Sequence, residues 1–305
     1  MTEPIFERSF APRHEEPVAI ADGIVRVTAN NPSPFTFTGT NSYIIGDETV
    51  MVIDPGPEDE PHLEALLQAI GNRRVSHIAV THTHRDHSPL AARLKAITGA
   101  PIAAEGGHRA ARPLHQGETN AFAESADMAL IPDILLKNGS RIGSGKYVLE
   151  TVLTPGHTAN HAAFALLGTP ILFSGDHVMA WSTTVVAPPD GSMTDYMMSL
   201  EKLLARTESR YLPGHGGPVE DAASFVRGIR SHRRMRERAI LARLEAGDGL
   251  IAEMVEVLYR STDKALHGAA AMSVFAHLEA LVETGAVVTD GKASITSHYR
   301  LAKRN

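Results

Sequence analysis

The stretch Thr81-His82-Thr83-His84-Arg85-Asp86-His87 decides the fold, because it gathers three histidines and one aspartate directly after an apolar run. That run, residues 75–80, is rich in β-branched side chains and predicts a buried strand. The polar side chains therefore begin where a strand ends. In α/β sheets, this edge usually holds the chemistry of the protein.

The spacing within the stretch brings side chains of ligand type together. His82 and His84 are two residues apart, so their rings point the same way if the end of the strand stays extended. Asp86 and His87 follow in a turn that can fold back toward them. Neutral imidazoles and carboxylates suit zinc, and also iron or manganese. The stretch can therefore hold two divalent ions, with His82 and His84 on one and Asp86 and His87 on the other. A solvated, histidine-rich loop is the alternative.

Three further residues of ligand type favour the metal site over the loop. His157, Asp176 and His215 each follow a short apolar run and a glycine. Glycine lets the backbone turn sharply and brings a neighbouring side chain close to a ligand. The chain contains no cysteine, so disulfides and a cysteine nucleophile are excluded and a metal site must use nitrogen and oxygen.

The order His-x-His-x-Asp-His, Gly-His, Gly-Asp and Gly-His resembles the metallo-β-lactamase superfamily over about residues 20–220. The resemblance implies a four-layer αββα sandwich with two metal ions at one edge, whereas the periodicity of the chain indicates only an α/β fold. It also implies a ligand set of two groups and a bridge. The first ion would be held by His82, His84 and His157, the second by Asp86, His87 and His215, with Asp176 between them.

Further segments narrow the resemblance to the lactamase-beta-like protein 2 branch of that superfamily. They are residues 30–43, 174–184 and 231–238, together with the C-terminal tail. The branch includes an endoribonuclease that acts on single-stranded RNA, and its fungal relatives are thioesterases. We therefore expect a hydrolase of an ester, thioester or lactam bond in a small molecule, with cleavage of single-stranded RNA as the alternative.

The expected nucleophile is water, because no Gly-x-Ser-x-Gly motif is present to supply a serine. Water activated by the two ions would attack a carbonyl or phosphoryl centre, with Asp86 orienting the water and taking its proton. A packing role is the alternative to substrate contact for the single tryptophan. The expected substrate-binding residues are Asn41, Tyr43, Trp181, Thr183 and Thr184.

Three other polar residues lie beside the predicted ligands. Asp54 ends a predicted hairpin, where forming a turn or capping a helix is the common role. In the superfamily an aspartate here supports the metal loop, so we expect Asp54 to hydrogen-bond a ligand. His161 and His177 follow two of the ligand motifs, and each is expected to support a ligand by hydrogen bonding or to pack in the core.

The alternation of strands and helices predicts a catalytic unit over residues 1–225 and a second unit over residues 226–305. The catalytic unit begins with an irregular lead-in, residues 1–20. Its helices are predicted at residues 60–70, 90–96 and 194–206. Its strands are predicted at residues 24–28, 42–45, 50–53, 75–80, 101–104, 131–136, 147–153, 162–167, 171–173 and 211–212.

A long helix over residues 222–246 leads into the second unit, where helices are predicted at residues 250–259 and 273–283. Residues 286–289 and 294–297 flank Asp290-Gly291, a hairpin signal, so this unit resembles a small winged-helix domain. No lysine or arginine lies on residues 273–283. We therefore expect no DNA binding, and packing or a homodimer contact instead.

Charge and hydropathy restrict the partners further. The net charge of -6 excludes a general basic surface for nucleic acid or acidic lipid. The arginines of residues 222–246 can form a solvated face or a phosphate-binding strip, and in the second case RNA cleavage should depend on Arg233 and Arg234. Residues 1–8 lack the pattern of a signal peptide, and no run reaches the length of a membrane span. We expect a cytoplasmic protein.

Overall fold

The computed structural model describes residues 4–303 of the protein. Its larger sheet has seven strands: β1 (Val18–Ala21), β2 (Ile24–Thr28), β3 (Asn41–Gly46), β4 (Thr49–Ile53), β5 (Arg74–Ala79), β6 (Ile102–Ala104) and β7 (Ile134–Leu135). Their order in the sheet follows their order in the chain. Neighbours are antiparallel from β1 to β4 and parallel from β4 to β7, so β4 to β7 all end at the same edge.

The second sheet has five strands: β8 (Arg141–Ser144), β9 (Tyr147–Leu153), β10 (Ala162–Leu166), β11 (Ile171–Gly175) and β12 (Arg210–Pro213). The strands lie in the order β12-β11-β10-β9-β8, and only β11 and β12 pair in parallel. Every residue of β10 and β11 is buried. Continuous burial is expected of central strands that are covered on both faces.

Four helices flank the two sheets: α1 (Glu60–Ile70), α2 (Leu90–Thr98), α3 (Met193–Leu204) and α4 (Ala222–Glu245). Short polar side chains begin the last two, since Ser192 accepts the backbone N–H of Asp195 and Asp221 accepts that of Ser224. Helix α2 ends at Gly99, whose φ of 72° lies in the left-handed region that glycine adopts without strain. The predicted helices therefore have local start and stop signals.

Three apolar clusters separate the layers. One lies between the larger sheet and α1 and α2, one between the two sheets, and one between the smaller sheet and α3 and α4. The expected αββα sandwich is confirmed. Representative side chains are Val52, Leu66 and Leu94 in the first cluster, Phe164 and Phe173 in the second, and Leu172, Leu200 and Val226 in the third.

The C-terminal domain contains α5 (Ile251–Leu258), α6 (His267–Glu283), β13 (Val287–Thr289) and β14 (Tyr299–Leu301). The expected winged helix is confirmed, but the strand predicted at residues 294–297 is wrong. Thr289 pairs with Tyr299, which leaves residues 290–298 as the loop of the wing. Short polar side chains bind locally there instead of joining a ladder, as in the 2.8 Å contact between the hydroxyls of Ser294 and Ser297.

Three other predicted elements differ from the structure. The lead-in predicted as irregular contains β1, which pairs with β2. The strand predicted at residues 131–136 shrinks to β7, because Pro132 has no backbone N–H and the Asp133 carboxylate binds the N–H of Ile102 at 2.9 Å. Helix α6 begins at His267, six residues before the predicted start at Ser273, because alanines at residues 269–271 favour helix.

Helix α4 crosses the predicted domain boundary at residues 225 and 226 without interruption. Its first half packs on the smaller sheet through Val226 and Ile229, and its second half joins the core of the C-terminal domain through Ile240 and Leu244. Among residues 4–303, one helical segment, Lys264–Glu283, has the length and apolar composition of a membrane span. Half of its α6 portion is buried in the C-terminal domain, as in the core helix of a globular domain.

Candidate metal centre

The fold brings all seven predicted ligands to one edge of the sandwich. His82 to His87 follow β5, His157 lies between β9 and β10, Asp176 follows β11 and His215 follows β12. Their nitrogen and oxygen atoms form two groups, within each of which one ligand atom per residue lies within 4.8 Å of the others. The three-histidine group is His82, His84 and His157, and the mixed group is Asp86, His87, Asp176 and His215.

In the three-histidine group, lone-pair nitrogens face one another. Nδ1 of His84 lies 3.0 Å from Nε2 of His82 and 3.0 Å from Nε2 of His157. Tetrahedral zinc with Zn–N bonds of about 2.0–2.1 Å places its ligand nitrogens about 3.3 Å apart. The three nitrogens are therefore spaced for a single ion that they could share.

In the mixed group, two imidazoles and two carboxylates converge. The Nε2 atoms of His87 and His215 are 3.3 Å apart and lie 3.2 Å and 3.1 Å from Oδ2 of Asp86. Asp176 reaches both groups, with its Oδ2 3.3 Å from Nε2 of His215 and 3.7 Å from Nε2 of His157. Its position between the groups suits a carboxylate that bridges two ions.

The other ring nitrogen of several ligands faces an acceptor that fixes the imidazole. Nδ1 of His87 donates to Oδ2 of Asp54 at 3.0 Å, and Nδ1 of His157 donates to the Val185 carbonyl at 2.7 Å. Nδ1 of His215 donates to the Gly39 carbonyl at 3.1 Å. In the neutral, metal-binding form of each ring, this bond places the proton on Nδ1 and leaves the Nε2 lone pair directed at the cluster.

Asp54 holds the ligand loop as well as His87. Its carboxylate also accepts the backbone N–H and the hydroxyl of Thr81, both at 2.7 Å. Its φ of 48° lies in the left-handed region, which is uncommon for residues other than glycine. His161 holds a second ligand segment, the one that follows β11. Its Nε2 accepts the backbone N–H of Asp176 at 3.1 Å.

Burial and charge divide the histidines by protonation. Burial lowers the pKa of His84 to about 3 and lowers the pKa values of His82 and His157, so these imidazoles stay neutral and able to bind a cation. Burial alone would also lower the pKa of His215, but the Asp176 carboxylate outweighs it and raises that pKa to about 9. Asp86 has the same effect on His87 and raises its pKa well above the usual value.

The comparison with known families agrees with this geometry. A family model of the metallo-beta-lactamase superfamily matches residues 35–215, and a model of a beta-lactamase associated winged helix domain matches residues 251–294. The chain belongs to the metallo-beta-lactamase superfamily. This superfamily member is 32% identical over 278 residues to the Beta-lactamase-like protein 2 homolog of Drosophila melanogaster, an alignment that covers 87% of this chain and 90% of that protein.

Two other proteins extend the likeness. A protein named atrochrysone carboxyl ACP thioesterase from a Cryptosporiopsis species is 26% identical over 232 residues, covering 74% of this chain and 64% of that protein. The crystal structure of a metallo-beta-lactamase family protein from Thermus thermophilus superposes with a TM-score of 0.72 at 24% identity, covering 93% of this chain and all of that one. The chain is a metallo-beta-lactamase superfamily hydrolase.

Two of the predicted substrate-binding residues of this superfamily member have polar side-chain atoms that bond to the protein backbone. Asn41 is fully buried and donates to the carbonyls of Pro213 and Gly216 at 3.1 Å and 2.9 Å. The Tyr43 hydroxyl donates to the Pro213 carbonyl at 2.7 Å, and its ring packs on Phe173 between the sheets. The polar atoms of both residues hold the loop that carries His215, and substrate contact stays a prediction for both.

The remaining predicted pocket residues lie close to the ligands. Thr184 is buried, with its hydroxyl 3.1 Å from Nδ1 of His157, and Thr183 is half-buried beside it. Trp181 is half-buried and stacks on Phe37, with ring centroids 4.9 Å apart and planes 9° apart. A side chain at Gly216 would meet Trp181 at 3.1 Å, so the stacked pair lies directly beside the His215 loop.

His177 takes the second of its two predicted roles and packs in the core. Its ring lies 4.5 Å from that of Tyr196, and in the described chain neither of its ring nitrogens has a hydrogen-bond partner. Sequence patterns also miss Phe37 and the carbonyls of Gly39 and Val185. A backbone carbonyl has no residue-type signal, and Phe37 lies far from the metal motif in the chain.

Proposed function

We propose that the protein uses two divalent metal ions, zinc in both positions, to hydrolyse an ester, thioester or lactam-type bond of a small molecule. The observation that carries the proposal is the convergence of seven side chains into two adjacent groups, with Asp176 of the mixed group 3.7 Å from His157 of the other. Nitrogen and carboxylate donors with this histidine content suit zinc, with iron and manganese as the alternatives. When bound, the ions would polarise the substrate oxygen and make water nucleophilic near neutral pH.

Asp86 is the ligand best placed to act on water. Its side chain is 24% exposed, whereas that of Asp176 is 8% exposed, so Asp86 faces the open side of the cluster. Burial alone would raise the pKa of Asp86, but the neighbouring His87 and His215 outweigh it and hold that pKa well below its usual value. We infer that Asp86 orients the attacking water and accepts its proton.

Apolar side chains beside the ligand loops support a substrate with an apolar portion. The Trp181–Phe37 pair adjoins the His215 loop, and Phe35 contacts Phe122 edge-on with centroids 6.1 Å apart. Residues 125–127 pair with the metal loop through backbone hydrogen bonds. Phe35 is 48% exposed and can contact a ligand. These surfaces suit the acyl group of a substrate. The relatives named as thioesterases support the same class of substrate.

Single-stranded RNA is the second candidate substrate, but the arginines of α4 give it little support. Arg230 and Arg234 both bind the Glu201 carboxylate, at 2.8 Å and 3.3 Å. Arg236 donates to the Leu258 carbonyl at 3.2 Å, and Arg233 is buried. Because most of these cations already have partners in the protein, we favour the small-molecule substrate. We also propose a cytoplasmic homodimer that binds neither DNA nor membranes.

The test is hydrolysis by the zinc-loaded protein of acyl thioesters, nitrophenyl esters, a chromogenic cephalosporin and single-stranded RNA. We expect turnover of at least one ester, thioester or lactam. Asp86→Asn replaces one carboxylate oxygen with an amide NH2 group, which removes the negative charge. It should lower kcat/KM about 100-fold or more. Asp127→Asn is the matched control, because Asp127 is a buried carboxylate that binds Ser88 of the same loop at 2.7 Å but belongs to neither ligand group.

Metal content separates the possible failures. Elemental analysis should find two equivalents of zinc in the wild-type protein and in Asp127→Asn. Cleavage of RNA alone would replace the small-molecule proposal with the nuclease. Two bound zinc ions with no turnover of any of these substrates would contradict the proposed activity, and a protein that binds no zinc would contradict the proposed site.

A further inference from the structure

Arg233 of α4 is a buried cation in an unusual setting. The residue is 3% exposed, and within residues 4–303 no carboxylate forms an ion pair with it. Its guanidinium lies 5.2 Å from the ring centroid of Tyr196 and donates through Nη2 to the Thr184 carbonyl at 2.5 Å. Burying a charge is costly unless hydrogen bonds or opposite charges hold it. The neutral carbonyl of Thr184 is therefore, together with Tyr196, a polar partner of a costly group.

That carbonyl belongs to the segment that fixes His157. The Thr184 hydroxyl lies 3.1 Å from Nδ1 of His157, and the next carbonyl, that of Val185, accepts from the same Nδ1 at 2.7 Å. Residues 183–187 form neither helix nor strand, so no regular hydrogen-bond ladder holds their peptide groups. The peptide plane of the Thr184 carbonyl and the plane of the Val185 carbonyl meet at the Cα of Val185, so a bond that fixes the first plane restrains one side of the second.

We propose that Arg233 is a positioning residue for the three-histidine group. By holding the Thr184 carbonyl, Arg233 keeps the Val185 carbonyl on Nδ1 of His157 and so keeps the Nε2 lone pair directed at His84. The inference rests on the proposed function only in that the group binds a metal ion. It assigns α4, which continues into the C-terminal domain, a direct part in metal affinity.

The mixed group is held differently, and this makes the proposal specific. His87 is fixed by the side chain of Asp54, and His215 by the carbonyl of Gly39, and neither contact involves α4. Loss of Arg233 should therefore lower the affinity for one zinc ion and leave the affinity for the other unchanged. A general loss of stability would weaken both.

The experiment measures zinc affinity by competition with a chromophoric chelator, in the full-length protein. Arg233→Met should weaken one of the two zinc equivalents about 10–100-fold, the usual effect of removing a group that orients a metal ligand. Arg233→Lys retains one donor and should recover part of the loss. His84→Ala identifies which equivalent belongs to the three-histidine group.

Two controls separate positioning from charge and from stability. Arg234→Met removes an exposed neighbouring arginine and should leave both affinities at their wild-type values. Leu66→Ala removes a buried side chain of α1, in an apolar cluster that contains no residue of the segment 183–187, and lowers stability. Wild-type zinc affinity in Arg233→Met, or an equal loss in Leu66→Ala, overturns the proposal. Two tightly bound zinc ions in a protein without hydrolase activity would count against the proposed function alone.

Discussion

Histidines are buried in two parts of this protein, several at the metal edge and one in the C-terminal domain, and these two sets have different surroundings. At the metal edge, ring nitrogens converge within about 3 Å of one another, while acceptors such as Asp54 fix the opposite nitrogens. In the C-terminal domain, His277 of α6 is 1% exposed, and neither of its ring nitrogens has a hydrogen-bond partner in the part of the chain that the structure describes. His277 is as buried as His82, His87 and His215, so burial does not reveal which imidazoles bind a metal.

A shifted pKa likewise does not identify which histidines bind a metal. Burial lowers the pKa of both His84 and His277 to about 3, although only His84 faces other ligands. At the metal edge, carboxylates outweigh burial and raise the pKa values of His87 and His215. Converging lone pairs together with buried carboxylates, rather than a shifted pKa, mark the metal centre.

Removal of the metal should have the largest effect and should affect one set only. A chelator is expected to lower hydrolysis about 1000-fold or more, because metal ions stabilise charge in the transition state by several kcal/mol. Added zinc should restore the activity. The measurement is kcat/KM before and after chelation, in the wild-type protein and in His277→Leu. Full activity after complete removal of the metal would contradict the assignment of a catalytic metal site to this edge. A lower zinc content in His277→Leu would contradict the view that His277 plays no part in metal binding.

A smaller effect is expected when one imidazole at the edge loses its acceptor. Asp54→Asn keeps the shape of the side chain but weakens the bond to Nδ1 of His87. Zinc affinity of the mixed group should fall about 10–100-fold, with less change in the three-histidine group. Competition titrations with the chelator resolve the two equivalents. Equal weakening of both would indicate that Asp54 acts through the whole loop by way of Thr81.

The smallest effect concerns His277 and the pH dependence of stability. Burial, with Arg233, Arg236 and His232 of α4, lowers the pKa of His277 to about 3 from the usual 6.5. Below about pH 6.5 the unfolded chain takes up a proton that the folded protein does not. Stability from this residue is therefore fully present above pH 6.5 and falls progressively as the pH is lowered toward about 3.

Replacing His277 should remove this acid sensitivity. Between pH 7 and pH 5, the free energy of unfolding of the wild-type protein should fall about 1–2 kcal/mol more than that of His277→Leu. Urea unfolding at the two pH values, with chelator present in all samples, provides the measurement. Parallel losses in the two proteins would show that His277 is not kept neutral in the folded state.

The sequence predicts the metal edge well because its signals are local. Each ligand follows an apolar strand, and Gly156, Gly175 and Gly214 precede three of them, so neighbouring residues indicate where the backbone turns. The four layers follow from the family resemblance and from amphipathic helices such as α1, whose predicted and observed bounds coincide.

Contacts between distant segments could not be predicted in the same way. Asn41 binds the backbone of Pro213 and Gly216, more than 170 positions later in the chain, and no pattern near Asn41 reveals that contact. The Val185 carbonyl and the Gly39 carbonyl act through backbone atoms, which every residue possesses. The wing was misplaced because residues 294–297 have strand-forming types, whereas their hydroxyl groups bind one another.

Helix α4 lies outside both matched family segments, since one ends at residue 215 and the other begins at residue 251. A helix is stiff over its length, so the two ends of α4 cannot rotate independently as they would on a flexible tether. Swapping the C-terminal domain for that of a relative would therefore require a junction that preserves the helical phase. An insertion of one residue within α4 would turn the attached domain by about 100° relative to the sandwich.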